Sequence, residues 1–366
     1  MTAQFRPARR RDLRPALDTL ENRALLNGAP MHHRIEVHAT AFDRAEISRR
    51  SLPPPPPPRG LSITYLNQAG GYRFINFNGP SPGDTAGTGT NMNGIANNGV
   101  AVGNTISNTL SFLNFGANPL RSSFAGPVNV NGNPAALAFG INAKGVVVGT
   151  DGNGNAFFEH RGHPLVPFVP LGGTTAAAFG VNDQNAIVGQ VVEANTTPGF
   201  LRTYGGKSTL TINAPSGPDT VNAQGINNHG LIVGFYVGTD GQDHGFTALA
   251  SSAVNGVITG TAVADPVIPN VPGEPGATFV FSQILGVNDQ GIAVGYYGDS
   301  TTSQHGFLYN THTGVYTFLD NPSAAFSNGV EVTQITGITN SGEITGFYSD
   351  ANGVFHGFVA VPHVVK

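Results

Sequence analysis

A ten-residue segment, Gly-(Ile/Val)-Asn-x-x-Gly-x-(Ile/Val)-Val-Gly, recurs six times along this chain of 366 residues. Its opening glycines are Gly94, Gly140, Gly180, Gly225, Gly286 and Gly337. Nine residues on from each stand Gly103, Gly149, Gly189, Gly234, Gly295 and Gly346. The copies are 40 to 61 residues apart, yet the segment itself never changes length. Self-similarity at such a period marks a repeat architecture, in which one supersecondary unit is stacked on copies of itself.

Each copy reads as four strands. In the fifth, Phe281 to Val287 is rich in β-branched and aromatic residues, and Asn288-Asp289-Gln290-Gly291 is a turn. Ile292 to Tyr297, His305 to Tyr309 and Val315 to Leu319 supply the other three strands. Asn early and Gly late suit a type I turn closed by a left-handed residue, which glycine adopts without steric cost. That glycine recurs at Gly99, Gly145, Gly230, Gly291 and Gly342, and the third copy has Asn185 instead.

Six four-stranded meanders in tandem predict an all-β fold, a six-bladed β-propeller whose sheets pack face to face. The last copy holds only three strands after Gln334, so its fourth must come from elsewhere. Tyr72 to Phe77 lies ahead of the first repeat and has the composition to pair beside His356 to Val361, closing the ring. An open β-solenoid and a seven-bladed ring with one degenerate blade are the alternatives. The chain divides into a leader and linker, 1–60, and a repeat domain, 61–366. About 300 residues can bury roughly three quarters of the surface that the unfolded chain exposes, so no staples are needed.

Charge follows the same division. Residues 1–60 hold 11 Arg and 6 acidic side chains, a net +5, which leaves 7 basic and 16 acidic groups, a net −9, for the rest. A nucleic-acid reader needs a basic footprint on its folded part, and this body has none. The absence of Cys rules out disulfides, zinc-thiolate sites and a Cys nucleophile. No run approaches the ~18–20 apolar residues of a membrane span.

The leader carries Arg6, Arg9, Arg10, Arg11 and Arg14, then six consecutive prolines from Pro53 to Pro58, a stiff polyproline linker. Asp18, Glu21 and Arg23 interrupt every candidate apolar stretch, so a standard secretory signal is lacking. The stretch from Arg14 to Leu26 resembles a leader found on predicted surface proteins of one bacterial phylum, which implies export. A disordered basic tail is the other reading.

The repeat resembles the HAF repeat of predicted extracellular bacterial proteins. The resemblance rests on the glycine segment and on a following His-x-Phe, present as His244-Gly245-Phe246, His305-Gly306-Phe307 and His356-Gly357-Phe358. The family's middle residue is usually Ala where this chain has Gly. The first three copies lose the His, reading Leu110-Ser111-Phe112, Asn155-Ala156-Phe157 and Pro198-Gly199-Phe200. The resemblance covers about 90 to 366. It implies an extracellular or cell-surface repeat protein of undefined biochemical role.

Placing chemistry on this frame is harder. The first-to-second and third-to-fourth turns of a meander lie on one face of the disc. The second-to-third links and the crossovers between repeats lie on the other, and all the length variation falls there. Variable loops on a rigid scaffold are where binding usually resides, although drift in loop length gives the same pattern. The links carry Asp240, Asp243, Asp299 and Asp350, the candidate ligand-binding residues. Such a cup favours a cation, a basic partner or a polyhydroxylated polymer. No cofactor is required, and calcium is the ion these acids suit. Asp151-Gly152-Asn153-Gly154-Asn155 has the alternation of a calcium loop without its closing Glu, and reads as a hairpin turn.

His244, His305 and His356 read as packing residues, each with a backbone or hydroxyl partner, and not as metal ligands. With about 4.8 Å per strand and an inner radius of roughly 8 Å, their copies stand roughly 17 Å apart. No Gly-x-Ser-x-Gly, His-Glu-x-x-His or P-loop occurs. The Asp boxes of sialidase-type propellers require Trp, and the chain has none. The expected function is therefore a binding or structural scaffold of the cell exterior, a monomer whose partner is a polysaccharide or a protein. The alternative is a secreted hydrolase for glycans or esters with a site built from loops.

Overall fold

The computed structural model describes residues 64–65, 71–79 and 83–362, apart from 106–109, 116–123, 126–135, 161–162, 207 and 218–219. The leader expected over 1–60 lies outside the described residues. The fold is all-β, a propeller-like arrangement of small sheets whose only helical pieces among the described residues are two 3-10 turns, Tyr204–Gly206 and Ala250–Ser252. No helix among them is long and apolar enough to cross a membrane.

Six sheets are present, each built on one copy of the repeat. The fifth is representative: Phe279–Val287, Ile292–Asp299, Gln304–Asn310 and Val315–Phe318 run as an antiparallel meander. Two sheets depart from four strands. The sixth is completed by the N-terminal strand Tyr72–Phe77, which pairs with Phe355–Pro362 in the register Tyr72↔Pro362 to Phe77↔Gly357. This is the pairing expected from the sequence, and Thr64–Tyr65 adds a further short strand outside it. The third sheet gains Val257–Thr259, parallel to Thr209–Asn213, a strand not expected from the repeat. That strand belongs to a connection that leaves the fourth sheet after Asp243–Leu249 and returns to it as Thr261–Ala262. The third and fourth sheets are thereby laced together.

The repeated glycines have a common reason. In every sheet the first strand is bulged at the residue before the opening glycine, as between Ala223 and Gly225 or Ile335 and Gly337. The bulge brings the opening glycines together around a central axis. A Cβ on Gly180 would stand 2.7 Å from Gln224 O and 3.0 Å from Gly225 Cα. Gly225 in turn abuts Gly286, Gly286 abuts Gly337, and Gly337 abuts Gly94, whose own neighbour is Gly140. The closing glycines sit on the second strand, pressed onto a first-strand carbonyl. There they also seat the motif phenylalanine: a Cβ on Gly149 would meet the Phe157 ring at 2.8 Å, and one on Gly234 the Phe246 ring at 2.8 Å. Phe157, Phe200, Phe246, Phe307 and Phe358 are all fully buried between neighbouring sheets. Each such ring removes some 150–250 Å² from water, which is the main driving force for stacking one repeat on the next.

The turn residues behave as their chemistry requires. Gly99, Gly145, Gly230, Gly291 and Gly342 have φ between 73° and 85°, and Asn185 stands at 60°.

Candidate functional site

The axial end carrying the first-to-second turns is lined by a rosette of amides. Asn142, Asn182, Asn227 and Asn288 each use Oδ1 to accept two backbone N–H groups of their own turn; for Asn227 these are His229 N at 3.0 Å and Leu231 N at 2.9 Å. Each then uses Nδ2 to donate to the next repeat, onto Asn182 O, Asn227 O, Asn288 O and Thr339 O at 2.8 to 3.1 Å. A carboxylate could make the first pair of bonds but not the second, so the motif calls for Asn. The relay is missing where Ala96 and Thr339 replace it, on either side of the seam between the sixth and first repeats.

The next position forms a second tier. Asp183, Asn228, Asp289, Asn340 and Asn97 each accept a backbone N–H from the preceding repeat, at 2.8 to 2.9 Å. Asn228 Nδ2 donates to both Asp183 and Asp289, and Asn340 Nδ2 donates to Asp289. Burial would raise the Asp289 carboxyl, but the donors from Asn228 and Asn340 hold it below its ordinary value. The cavity at this mouth holds only about 60 Å³. Its polar groups are spent on one another, so this end ties the ring together.

The opposite face carries the three motif histidines, and here the structure corrects the sequence reading. Their partners are mostly carboxylates, not backbone or hydroxyl groups. His244 Nε2 meets Asp240 and its Nδ1 meets Asp265, each at 3.1 Å. His356 Nε2 meets Asp350 at 3.1 Å and its Nδ1 meets Asn78 Oδ1 at 2.7 Å. His305 Nδ1 meets Asp320 at 2.9 Å, while Nε2 meets Glu274 at 3.0 Å and Asp299 at 3.8 Å. A second-strand tyrosine lies against each ring: Tyr236, Tyr297 and Tyr348, with centroids 5.1 to 5.9 Å away. The unit is thus a tyrosine, a histidine, a link acid on Nε2 and a polar residue after the fourth strand on Nδ1.

Environment separates the three. At His244 burial acts to lower the imidazole pKa, but Asp265 and Asp240 outweigh it and raise it. At His305 burial again opposes the charge, and Asp320 with Glu274 push the value up to about 9. His305, Glu274 and Asp299 are 1–2% exposed. Asp299 Oδ1 accepts Thr301 N and Ser303 N, whereas Asp299 Oδ2 has no hydrogen-bond partner. The Thr301 hydroxyl stands between Asp299 Oδ1 at 2.7 Å and Glu274 Oε1 at 3.1 Å.

The four candidate aspartates do not converge on one cup. Asp240, Asp299 and Asp350 each serve the histidine of their own repeat. Asp243 is half-buried and accepts a 2.6 Å bond from Gln283 Nε2 of the fifth sheet, and desolvation raises its carboxyl. Among the described residues, one trio places three donor atoms within 4.8 Å of one another, and it is Glu274, Asp299 and His305. Asp151 closes an ordinary turn, its two oxygens taken by Asn153 N, Asn155 N and Asn155 Nδ2. Glu274, Asp265 and Asp320 were missed as partners because they lie in crossovers. A faint signal existed: Asp320 and Asn78 directly follow the fourth strands ending Phe-Leu319 and Asn-Phe77.

One open cleft adjoins these links. It has a volume of about 430 Å³ and lies between the third and fourth repeats, lined among others by Glu193, Asn195, Thr196, Thr220 and Gly238.

No protein-family model matches the sequence, and no match is found among curated proteins. Solved structures with partial likeness include TolB from Acinetobacter baumannii, at a TM-score of 0.43 and 8% identity over 76% of this chain and 65% of that one. A post-proline cleaving enzyme from Rickettsia typhi gives 0.37 and 8% over 80% and 52%. The chain spans less than two thirds of the length of either structure, and TM-scores below 0.5 at such identity say nothing about activity.

Proposed function

We propose that this protein is a non-enzymatic scaffold of the cell exterior, a closed six-bladed propeller of the HAF type that presents one face to a polyhydroxylated ligand. The observation that carries this reading is the cleft between the third and fourth repeats. Its volume of about 430 Å³ falls in the usual range for small-ligand sites, ~300–1,000 Å³. Hydroxyl and amide groups line it: Asn195, Thr196, Thr197 and Thr220 alternate with the short apolar walls of Val192, Ala194 and Val237. Such a lining offers neutral donors and acceptors beside a single carboxylate, Glu193, which suits a neutral sugar polymer better than a polyanion.

The same lining weighs against the hydrolase alternative. Glycoside hydrolysis needs two carboxyl groups roughly 5–9.5 Å apart, and Glu193 is the one carboxylate among the lining residues. No histidine faces the cleft to serve as base for an ester. Export is a part of this proposal that rests on the repeat and leader resemblances.

Affinity electrophoresis through gels containing neutral polysaccharides tests the reading. Retardation of the wild-type chain, lost in Asn195→Ala combined with Thr220→Val, is the expected result. Release of reducing ends or free acid from the same polymers and their esters would instead favour the hydrolase. Absence of retardation on every polymer leaves a purely structural role.

A further inference from the structure

We propose that Glu274, Asp299 and His305 hold a divalent metal ion of the zinc class, which pins the proline-rich crossover from Ala264 to Thr278 onto the fifth repeat. This goes beyond the scaffold reading and does not depend on it. Motif histidines of different repeats stand too far apart to share one ion. The site instead forms within one repeat, from a motif histidine, a link aspartate and a glutamate delivered by the crossover.

Four observations converge. The first is spacing. Ligands at 2.0–2.2 Å from a tetrahedral zinc stand about 3.3 Å apart. His305 Nε2 lies 3.0 Å from Glu274 Oε2 and 3.8 Å from Asp299 Oδ2, which bracket that separation. The second is an open valence. Asp299 is all but fully buried, and its Oδ2, on the side facing His305, has no hydrogen-bond partner. A buried carboxylate oxygen without a donor is costly unless a cation meets it. The third is the outer shell. His305 Nδ1 is held by Asp320 at 2.9 Å, and Asp320 Oδ1 is itself fixed by Gly306 N at 2.9 Å. A carboxylate on the far ring nitrogen is the usual partner of a metal-bound histidine, because it sets the tautomer that aims the other nitrogen at the metal.

Charge is the fourth. Glu274, Asp299 and Asp320 surround a single imidazole, and Glu331 lies close enough to feel Asp320, His305 and Glu274. No Lys or Arg occurs anywhere from 208 to 365, a stretch holding 11 Asp and Glu. Protonating His305 supplies one positive charge against three carboxylates, two of them sealed from solvent. A divalent cation supplies two and leaves the imidazole neutral to ligate. Mixed imidazole and carboxylate donors suit zinc, cobalt or manganese, whereas calcium takes oxygen donors alone. The corresponding place in the fourth repeat is more exposed, and in the sixth Asn78 replaces an acid, so the site is particular to the fifth.

The test uses the full chain, stripped by chelator, reloaded with Zn²⁺ and dialysed, with bound metal measured by mass spectrometry. The expected result is one equivalent per chain. Glu274→Gln and Asp299→Asn should each weaken Zn²⁺ affinity at least tenfold, and Asp320→Asn about 10–100-fold, while Asp350→Asn in the sixth repeat leaves affinity unchanged. Should the variants fail to fold, Co²⁺ loading of the wild-type chain gives an independent readout: visible d–d absorption of a low-symmetry site, displaced by one equivalent of Zn²⁺. Less than a tenth of an equivalent in folded wild-type protein, equal retention by Asp299→Asn, or preference for Ca²⁺ over Zn²⁺ would overturn the assignment. In that case the cluster is a buried ion network.

Discussion

Asn227 is the most instructive position to perturb, because its two ends do different work. Its side chain is nearly buried and makes three hydrogen bonds: two accepted at Oδ1 within the turn, one donated from Nδ2 to Asn288 O at 2.9 Å. Each intramolecular bond contributes about 0.5–1.5 kcal/mol net. Asn227→Ala therefore costs about 3 kcal/mol, with an added penalty if the orphaned N–H groups stay dry. Asn227→Asp keeps the turn bonds and loses only the donor to the fifth repeat. It leaves a carboxylate facing the Asn288 carbonyl and should cost about 1–3 kcal/mol, the price of an unsatisfied buried group. Asn98→Ala is the control. Asn98 bonds Val100 N and Ala143 O at 3.1 Å but is exposed, so water replaces both and the change stays within about 0.5 kcal/mol. With no Trp in the chain, guanidinium unfolding is followed by tyrosine emission and far-UV dichroism. Asn227→Asp matching the wild type would refute the view that the motif Asn joins neighbouring repeats.

Three further outcomes follow from the geometry. Gly291 sits at φ 73° and Asn185 at 60°, so Gly291→Val should lower the melting temperature and Asn185→Gly should hold or raise it; strain of this kind amounts to about 1–3 kcal/mol, and equal melting temperatures would contradict it. His244 has its pKa raised above 6.5, burial being outweighed by Asp265 and Asp240, with Tyr236 and Asp243 also close by. Its stabilisation is complete below 6.5 and is lost as pH rises through the raised folded value. The melting-temperature gap between wild type and His244→Gln should therefore shrink from pH 5.5 to 9, and a flat gap would remove the ion pair from the account. Deleting residues 61–78 removes Tyr72–Phe77, including fully buried Phe74 and the Asn76 pairings with Tyr348 and Asn321; cooperative loss of the whole fold is expected by calorimetry, and an unchanged transition would show that the sixth sheet does not need its N-terminal strand.

The strands, the turn glycines and the pairing of Tyr72–Phe77 were readable because each follows from a local rule applied many times. Glycine at a left-handed turn position and an alternating β-branched run are decided within ten residues, and six copies average out the noise. Other features were hidden by the same locality. The motif Asn looked like a turn former, and half of its work is indeed that. Its Nδ2 bond to Asn288 O spans 61 residues and exists only once the repeats are stacked. The axial glycines fall inside first strands, where no local rule asks for glycine, and they are glycine because Gly225 and Gly286 touch across a sheet boundary. Val257–Thr259 was invisible because a parallel strand of three residues, lent by the next repeat, carries no periodicity of its own.

The histidines show why chemistry was harder to read than fold. Three repeats supply the same Tyr–His pair in the same register: Tyr236↔His244, Tyr297↔His305 and Tyr348↔His356. Nothing in those pairs differs, so the repeat alone predicts three equal sites. The difference comes from what the crossovers deliver. The connection after the fourth repeat sends Asp265 back to His244, where solvent reaches both acids. The same connection then sends Glu274 forward to His305, where it seals the ring and brings a second buried carboxylate beside Asp299. The N-terminal strand brings only Asn78 to His356. A rigid repeated frame thus fixes the imidazole, and irregular loops set its charge and its access to water. Since loops carry no period, a change of a few residues in Ala264 to Thr278 can convert one histidine from a surface ion pair into a metal ligand while every strand stays in register.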